Sequence, residues 1–391
     1  MKDKKERVER FYKRIALKAF IILHSFIKIP AKPLKVGLIG TGSIAQLHRN
    51  AYKQFPEKIK LMAVCDINEE AVKKFASISN ISDIYTSAEE LLEKADIDAV
   101  DICTTHDTHY QLTMAAANAG KHILLEKPMA IKMDDCREMV KSAEKAGVIF
   151  MIGQNLRYLP QSQHIYKLII NGDLGEIWTL QAFDVMGSIP PRSKISNPPE
   201  KIHWYFDGNR SGGGSLITLS IHSIDLFRYY VGDIKSVIAR KWTNNPFFSN
   251  DAEDRIVANL FFENGAIGYI MSSFTTVSPW SHRYLLFGED ATISSDPPVG
   301  KINIKQFLAP LMISAKDRDA GLKNKFIPIN PDMEGLLSKD PYINEIIHFA
   351  ECCQDGKEPI SSGKDNLGTM KTIFGIYKSA QTGKVVDLNS L

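Results

Sequence analysis

Lys127 stands in LLEKPMA (124–130), between an apolar run and a proline. Short apolar runs mark buried strands, and lysine is among the residues least often buried. An amine at the end of such a strand is a candidate proton acceptor. Held away from bulk water and near another cation, its pKa falls, and it can take a proton from a substrate hydroxyl. The local sequence supports equally an exposed lysine ahead of a turn-forming proline. A second candidate is His222, in SGGGSLITLSIHSIDLFRYYVG (211–232). There Thr218, His222, Asp225 and Tyr229 recur at helical spacing and make one polar face on a helix expected from Ser215 to Val231. Polar groups on a buried helix need partners, and a polyhydroxylated ligand in a crevice would supply them. The other reading of His222 is a core histidine bonded to Asp225.

A phosphate-binding pattern lies near the start. GTGSIA (40–45) fits G-x-G-x-x-A. Gly40 permits the tight turn, Gly42 lets backbone approach a pyrophosphate, and Ala45 keeps helix and strand close. The N-terminus of the next helix offers N–H groups and its dipole to the phosphates. Asp66 closes the following strand, where a carboxylate accepts hydrogen bonds from an adenosine ribose and repels a 2′-phosphate. NAD is therefore the expected cofactor, with NADP not excluded. His106 and His109 form an H-x-x-H pair with no third or fourth ligand nearby, so no metal is expected. His109 is read as lying beside the cofactor and His106 as a satisfied loop histidine.

The elements that must position these residues alternate. Strand patterns at 35–40, 59–66, 98–104, 121–126 and 148–153 are separated by helical ones. That alternation predicts βαβ units and a parallel sheet, with ligands outside the carboxyl ends of the strands. GTGSIA, Asp66, Thr104 to His109 and Glu126-Lys127 all fall at such ends. Further on, 172–185 gives a turn and a strand, 256–274 a hairpin around Glu263-Asn264-Gly265, and 283–295 another hairpin. These predict a second, mostly antiparallel sheet. The fold class is α/β, with a nucleotide-binding domain over 34–154 and a second domain over 155–391. Residues 187–210, rich in Pro, Ser and Asn, read as a long loop of the kind that covers substrates. Arg192, Lys194 and Lys201 could meet a phosphate or carboxylate there.

Together, GTGSIA, Asp66, ICTTHDTHY, EKP and GGGSLITLSIHSID resemble the Gfo/Idh/MocA oxidoreductases, from about residue 34 to the end. The resemblance implies a Rossmann domain followed by an α/β domain whose large open sheet binds substrate on one face and forms dimers or tetramers through the other. It implies hydride transfer between NAD(P) and a secondary alcohol of a sugar, cyclitol or nucleotide sugar. Lys127 would be the catalytic acid/base, with His222 beside the reacting hydroxyl. Cofactor contacts would fall to Gly40, Thr41, Gly42, Ser43, Ile44, Asp66, Thr104, Thr105, His109, Glu126, Lys127 and Asn155. Substrate contacts would fall to Lys127, Arg157, Tyr158, Thr218 and His222. Three positions depart from the common pattern. Thr218 stands where Asp is usual, which removes a carboxylate relay and leaves a hydroxyl able to bond the substrate. Ser220 replaces Gly, and Thr105 replaces Pro, which leaves the path of the cofactor loop open. Asp225 is read as a structural partner. Two rival activities use the same fold: an NAD-dependent hydrolase or eliminase with a closed redox cycle, and a non-catalytic sensor. The presence of both Lys127 and His222 speaks against the sensor.

The composition of the 391-residue chain is that of a soluble globular protein, 44% apolar and 24% charged. A net charge of +3 gives no argument for nucleic acid. Residues 1–35 hold eleven Lys or Arg against three Asp or Glu, a net of +8, which leaves −5 on the remainder. Residues 1–33 carry the apolar stripe Val8, Phe11, Ile15, Ala19, Ile22 and Phe26 of a basic amphipathic helix. Its apolar run is too short to span a membrane, and it has no convincing signal cleavage site. Packing on the protein's own body or a neighbouring subunit is expected, with peripheral contact through 1–28 to an anionic membrane as the alternative. Five cysteines without a C-x-x-C pair fit a reducing cytoplasm.

Overall fold

The computed structural model describes residues 32–187, 203–276, 281–295, 311–317, 321–322, 327–329, 331, 333 and 335–391. The amphipathic helix expected before Pro30 and the loop residues Arg192, Lys194 and Lys201 lie outside them.

Six strands form the first sheet: β1 (Leu34–Ile39), β2 (Ile59–Cys65), β3 (Asp83–Tyr85), β4 (Ala99–Ile102), β5 (His122–Glu126) and β6 (Phe150–Gly153). Their spatial order is 3-2-1-4-5-6 and every pairing is parallel. Helices α1 (Ser43–Gln54), α2 (Glu69–Ser79), α3 (Ala88–Lys94), α4 (His109–Asn118) and α5 (Met133–Ala146) connect them. With helices on both faces the central strands are buried throughout, so β4 and β6 show no alternation at all. The five expected strands are present. The sixth, β3, is three partly exposed residues at the sheet edge, too short to carry a period of two.

The second sheet contains β7 (Ile177–Val185), β8 (Ile234–Trp242), β9 (Arg255–Phe262), β10 (Ile267–Ser273), β11 (Ser281–Gly288), β12 (Ala291–Ser294), β13 (Leu311–Asp317), β14 (Gly321–Leu322), β15 (Ile327–Ile329) and β16 (Val386–Asp387). Its order is β14-β13-β12-β11-β7-β10-β9-β8-β16, with β15 also on β13. All pairings are antiparallel except β7 with β10. Both expected hairpins form, β9–β10 about Gly265 at φ +93° and β11–β12. On the inner face Leu180, Ala182 and Ile270 are buried in one core with Ile221, Ile224 and Phe227 of α8 (Ile221–Val231), which follows α6 (Pro160–Asn171) and the short α7 (Gly208–Ser211). That core also takes in Met370, Ile373 and Ile376 of α10 (Gly363–Thr382). Between them, α9 (Pro341–Asp355) returns to the first sheet. Its Ile343, Ile346 and Phe349 join Val36, Leu38 and Ala51 in a second core. A sequence far from the nucleotide half therefore completes it.

Candidate active site

Gly40 leaves β1 at φ +92°, and a Cβ there would lie 2.5 Å from the carbonyl oxygen of Cys103, so this turn requires glycine. The Thr41 N–H and hydroxyl both donate to Asp66 Oδ2, at 2.7 and 2.8 Å, and the Asn68 N–H donates to Oδ1 at 2.9 Å. These bonds fix the Asp66 carboxylate at the end of β2, and its oxygens retain lone pairs for a ribose. Gly42 opens α1 without a side-chain cap, and the first turn of α1 holds no acidic residue. By contrast, α2, α3 and α5 carry Glu69 and Glu70, Glu89 and Glu90, and Asp134 and Asp135. The N–H groups at the N-terminus of α1 therefore meet no carboxylate from their own first turn, and the helix dipole there favours an anion. Ser43 and Ile44 follow at its mouth, with Ala45 fully buried behind.

A Cβ on Gly42 would meet nothing within 4 Å. Gly42→Ala is therefore expected to fold normally and yet to weaken NAD binding about tenfold, about 1.4 kcal/mol, because the methyl occupies space a phosphate needs. Parallel thermal melts and NAD titrations check this. Equal affinity in the two proteins would place the phosphates elsewhere.

The loop after β4 keeps the path that proline would give it. Thr105 sits at φ −78° and ψ 147°, within proline's own range. The Thr108 hydroxyl bonds Thr104 Oγ1 at 2.8 Å and Thr105 O at 2.7 Å. His109 is fully buried, with Nδ1 at 2.7 Å from Pro128 O and Nε2 at 3.3 Å from Thr104 O. It braces the loops after β4 and β5 against each other, with both ring nitrogens engaged within the chain. His106 Nδ1 meets Ser211 O at 2.8 Å, as a satisfied loop histidine would, and ties this loop to the second domain.

At the end of β5 the two charged residues part. The Glu126 carboxylate turns inward: Oε2 accepts the Lys127 N–H at 3.0 Å and Oε1 lies 3.2 Å from His48 Nε2. It thus ties the end of β5 to α1 from behind the site. His48 Nδ1 lies 2.8 Å from Asp101 Oδ2, which also accepts the Tyr52 hydroxyl at 2.7 Å. Burial opposes a charge on His48, but Asp101 and Cys103 outweigh it and hold its pKa well above the imidazole range. His48, Asp101 and Cys103 bring three possible ligand atoms within 4.8 Å of one another. An imidazolium saturated by carboxylates is a hydrogen-bonded cluster, not a ligand set.

The Lys127 Nζ donates to the carbonyl of Thr218 at 3.0 Å. Burial lowers its pKa, with the Glu126 charge opposing. Thr218 lies in a π-turn, Leu216–Ser220, ahead of α8. Such turns recur at functional sites. The wider turn breaks the uniform helix expected here. Thr218 is 1% exposed, and its hydroxyl donates to Gly214 O at 2.6 Å. The hydroxyl's proton is thus committed within the chain, while the carbonyl of the same residue holds Lys127. His222 lies on the same helix, its Nδ1 buried without a hydrogen-bond partner among the described residues. Burial, then the charges of Lys127 and His282, hold His222 well below the ordinary imidazole range, so it is neutral. Asn155, after β6, is 7% exposed with an equally unpartnered Oδ1.

Arg157 and Tyr158, expected at the substrate, are engaged within the chain instead. Arg157 is 2% exposed and bonds Asp225 through Nε at 2.6 Å and Nη2 at 2.7 Å, and Asp365 at 2.6 Å. Its guanidinium lies 5.1 Å from the Tyr229 ring. Tyr158 is buried, with its hydroxyl 3.1 Å from Ser361 Oγ. Asp225 therefore belongs to Arg157, as a structural partner, and not to His222. Two residues escaped the sequence reading. Asp184, fully buried on β7, accepts the Ser220 and Ser223 hydroxyls at 2.6 and 2.8 Å and meets His282 Nδ1 at 2.7 Å. The His282 ring stands 6.1 Å from that of His222, nearly perpendicular to it. Their only sequence signal is the unusual Ser220, whose hydroxyl needs an acceptor.

A clear helix N-terminus after a glycine turn, a ribose-ready carboxylate and orphaned Asn155 fit a dinucleotide, and define a nucleotide-binding oxidoreductase. Comparison with known proteins agrees. Residues 34–154 match the oxidoreductase family with an NAD-binding Rossmann fold, GFO_IDH_MocA, and residues 166–388 match that family's C-terminal alpha/beta domain. The chain belongs to this family and is an NAD-dependent oxidoreductase. It is 30% identical to the uncharacterized oxidoreductase YrbE of Bacillus subtilis over 91% of this chain and 97% of that one. It is 25% identical to the myo-inositol 2-dehydrogenase of Thermotoga maritima over 92% and 99%. Among solved structures, an aldose-aldose oxidoreductase from Caulobacter crescentus complexed with glycerol aligns with a TM-score of 0.76 at 26% identity, covering 91% and 100%.

Proposed function

We propose that the protein oxidises or reduces a secondary alcohol of a sugar or cyclitol, with Lys127 as the proton-transfer group and His222 orienting the same oxygen. The observation that carries this reading is the bond from Lys127 Nζ to the Thr218 carbonyl. It aims a half-buried amine at the helix that presents a neutral histidine with an unpartnered Nδ1. NAD, when bound, supplies the hydride acceptor. Gly40, Gly42, Ser43 and the N–H groups of α1 would hold its pyrophosphate, Asp66 its ribose, and Asn155 a group near the nicotinamide. The chain's own residues do the rest. A neutral Lys127 takes the hydroxyl proton, His222 fixes the oxygen, and the packed walls exclude water. Relatives named for myo-inositol, D-apiose and D-glucoside oxidation support the substrate class.

A substrate deuterated at the carbinol carbon tests the transfer. Mass spectrometry should find the deuterium in the reduced nicotinamide; deuterium released to water would contradict direct transfer.

The outer face of the second sheet supports an oligomer. Phe183, Tyr269 and Met271 lie there half-buried, and Ile267 is 46% exposed. A sheet face this apolar is assigned to a second copy of the chain. Met271→Asp is expected to give monomers by sedimentation while the wild type sediments as a dimer or tetramer; a monomeric wild type would reject the assignment. Five free thiols fit a reducing compartment, and we place the protein in the cytoplasm. Among the described residues no helix is long and apolar enough to cross a membrane.

A further inference from the structure

We propose that Glu253 is a positioning residue of the active site: it clamps the backbone of residues 214–216 and so sets the turn on which Lys127 is held. The proposal rests on the role given to Lys127 above.

Glu253 precedes β9 and is fully buried. Oε2 accepts the Gly214 N–H at 2.8 Å and Oε1 the Leu216 N–H at 2.7 Å. The Ser215 hydroxyl and the Tyr377 hydroxyl of α10 reach Oε1 at 3.5 and 3.4 Å. The backbone carbonyl of Glu253 accepts the Ser215 N–H at 3.0 Å. One residue thus takes three consecutive N–H groups at the entrance of the π-turn, where the backbone would otherwise be unsatisfied.

The glycines make this approach possible. A Cβ on Gly214 would lie 1.8 Å from Glu253 O, and one on Gly213 would lie 2.0 Å from the Tyr377 hydroxyl. Any side chain there would push the clamp away. From the clamped entrance the π-turn runs to Thr218, whose carbonyl holds Lys127 Nζ, and then to His222. A shift of the entrance therefore moves both proton-handling groups.

The charge of the clamp matters, because each oxygen serves a different N–H. A protonated carboxyl turns one oxygen into a donor and a much poorer acceptor, so the bond from Gly214 or Leu216 weakens. The groups facing Glu253 are the Gly214 and Leu216 amides, Tyr377 of α10 and Lys241 of β8, itself paired with Asp251 at 2.6 Å. Burial pushes the Glu253 pKa up to about 7, against those amides and Lys241. The clamp is therefore closed above neutrality and loosens as pH falls through it.

The test uses the full chain, wild type and Glu253→Gln, between pH 6 and 8.5. Hydrogen exchange of peptides covering 211–222, corrected for the intrinsic pH dependence, is followed beside kcat and KM. In the wild type, protection of this segment should fall as pH drops through about 7. Glu253→Gln should be weakly protected at every pH, with kcat lowered about tenfold to a hundredfold, KM for NAD unchanged and the inflection near neutrality gone. Equal, pH-dependent protection in both proteins would overturn the clamp, as would wild-type kcat in the variant. Should Glu253→Gln fail to fold, Tyr377→Phe serves instead. It removes one donor to the carboxylate, so the exchange transition should move to higher pH, and an unmoved transition would overturn the proposal. The exchange readout is independent of Lys127: if Lys127 proves dispensable, the assignment of its role fails while the clamp is still judged on 211–222.

Discussion

Lys127→Ala is expected to lower turnover about 10²–10⁴-fold and to leave NAD binding nearly intact. The residue's contacts explain the split. Its amine reaches away from the phosphate turn, to Thr218 O at 3.0 Å, while the adjacent Glu126 carboxylate is already tied to His48. Removing the amine deletes the proton acceptor without disturbing Gly40, Gly42 or Asp66. Burial lowers the Lys127 pKa, so the neutral form needed for oxidation is populated below the ordinary lysine range. The oxidation rate should therefore rise with pH and level off below that range. Lys127→Arg should be as inactive as alanine, since a guanidinium stays protonated. Turnover measured with saturating NAD and a direct binding titration separate the two effects. Wild-type turnover in the alanine variant would remove Lys127 from the mechanism.

The largest effect on stability is expected at Arg157. Arg157→Ala should destabilise the fold by about 3–5 kcal/mol. It leaves Asp225, 1% exposed, as a buried carboxylate whose remaining partner among the described residues is the Thr369 hydroxyl at 3.0 Å. It also opens the contact between the loop after β6, α8 and the start of α10, where Asp365 and the Ile360 carbonyl complete the guanidinium's partners. Chemical denaturation of the two proteins measures this. A variant of unchanged stability with a raised KM for substrate would restore Arg157 to the substrate site.

The difference between Lys127 and Arg157 shows how far the sequence could be read. Strand ends were legible, because a run such as HILLE must be buried and the charged residue after it must face something other than the core. The phosphate turn was legible from G-x-G-x-x-A between a strand and a helix, and the structure gives the reason for its first glycine: a Cβ on Gly40 would strike Cys103. Direction was not legible. Glu126 and Lys127 are neighbours with opposite fates, one toward His48 and one toward Thr218, and neither partner is near in sequence. The helical period placed Thr218, His222, Asp225 and Tyr229 on one face, but a π-turn rotates Thr218, and Arg157 claims Asp225 from 68 residues away. Period reports which residues share a side of a helix, not what lies opposite. The same limit hid Asp184 and His282, which meet only because β7 and β11 pair in register.

The most direct test of the central claim is the absorbance of reduced nicotinamide, measured with NAD against a panel of inositols, free sugars, sugar phosphates and nucleotide sugars. Wild type and Lys127→Ala are run side by side. Reduction of NAD by at least one polyhydroxylated substrate, lost with the lysine, is the predicted result. Binding of NAD with no reduction across the panel, or reduction that persists without Lys127, would contradict it.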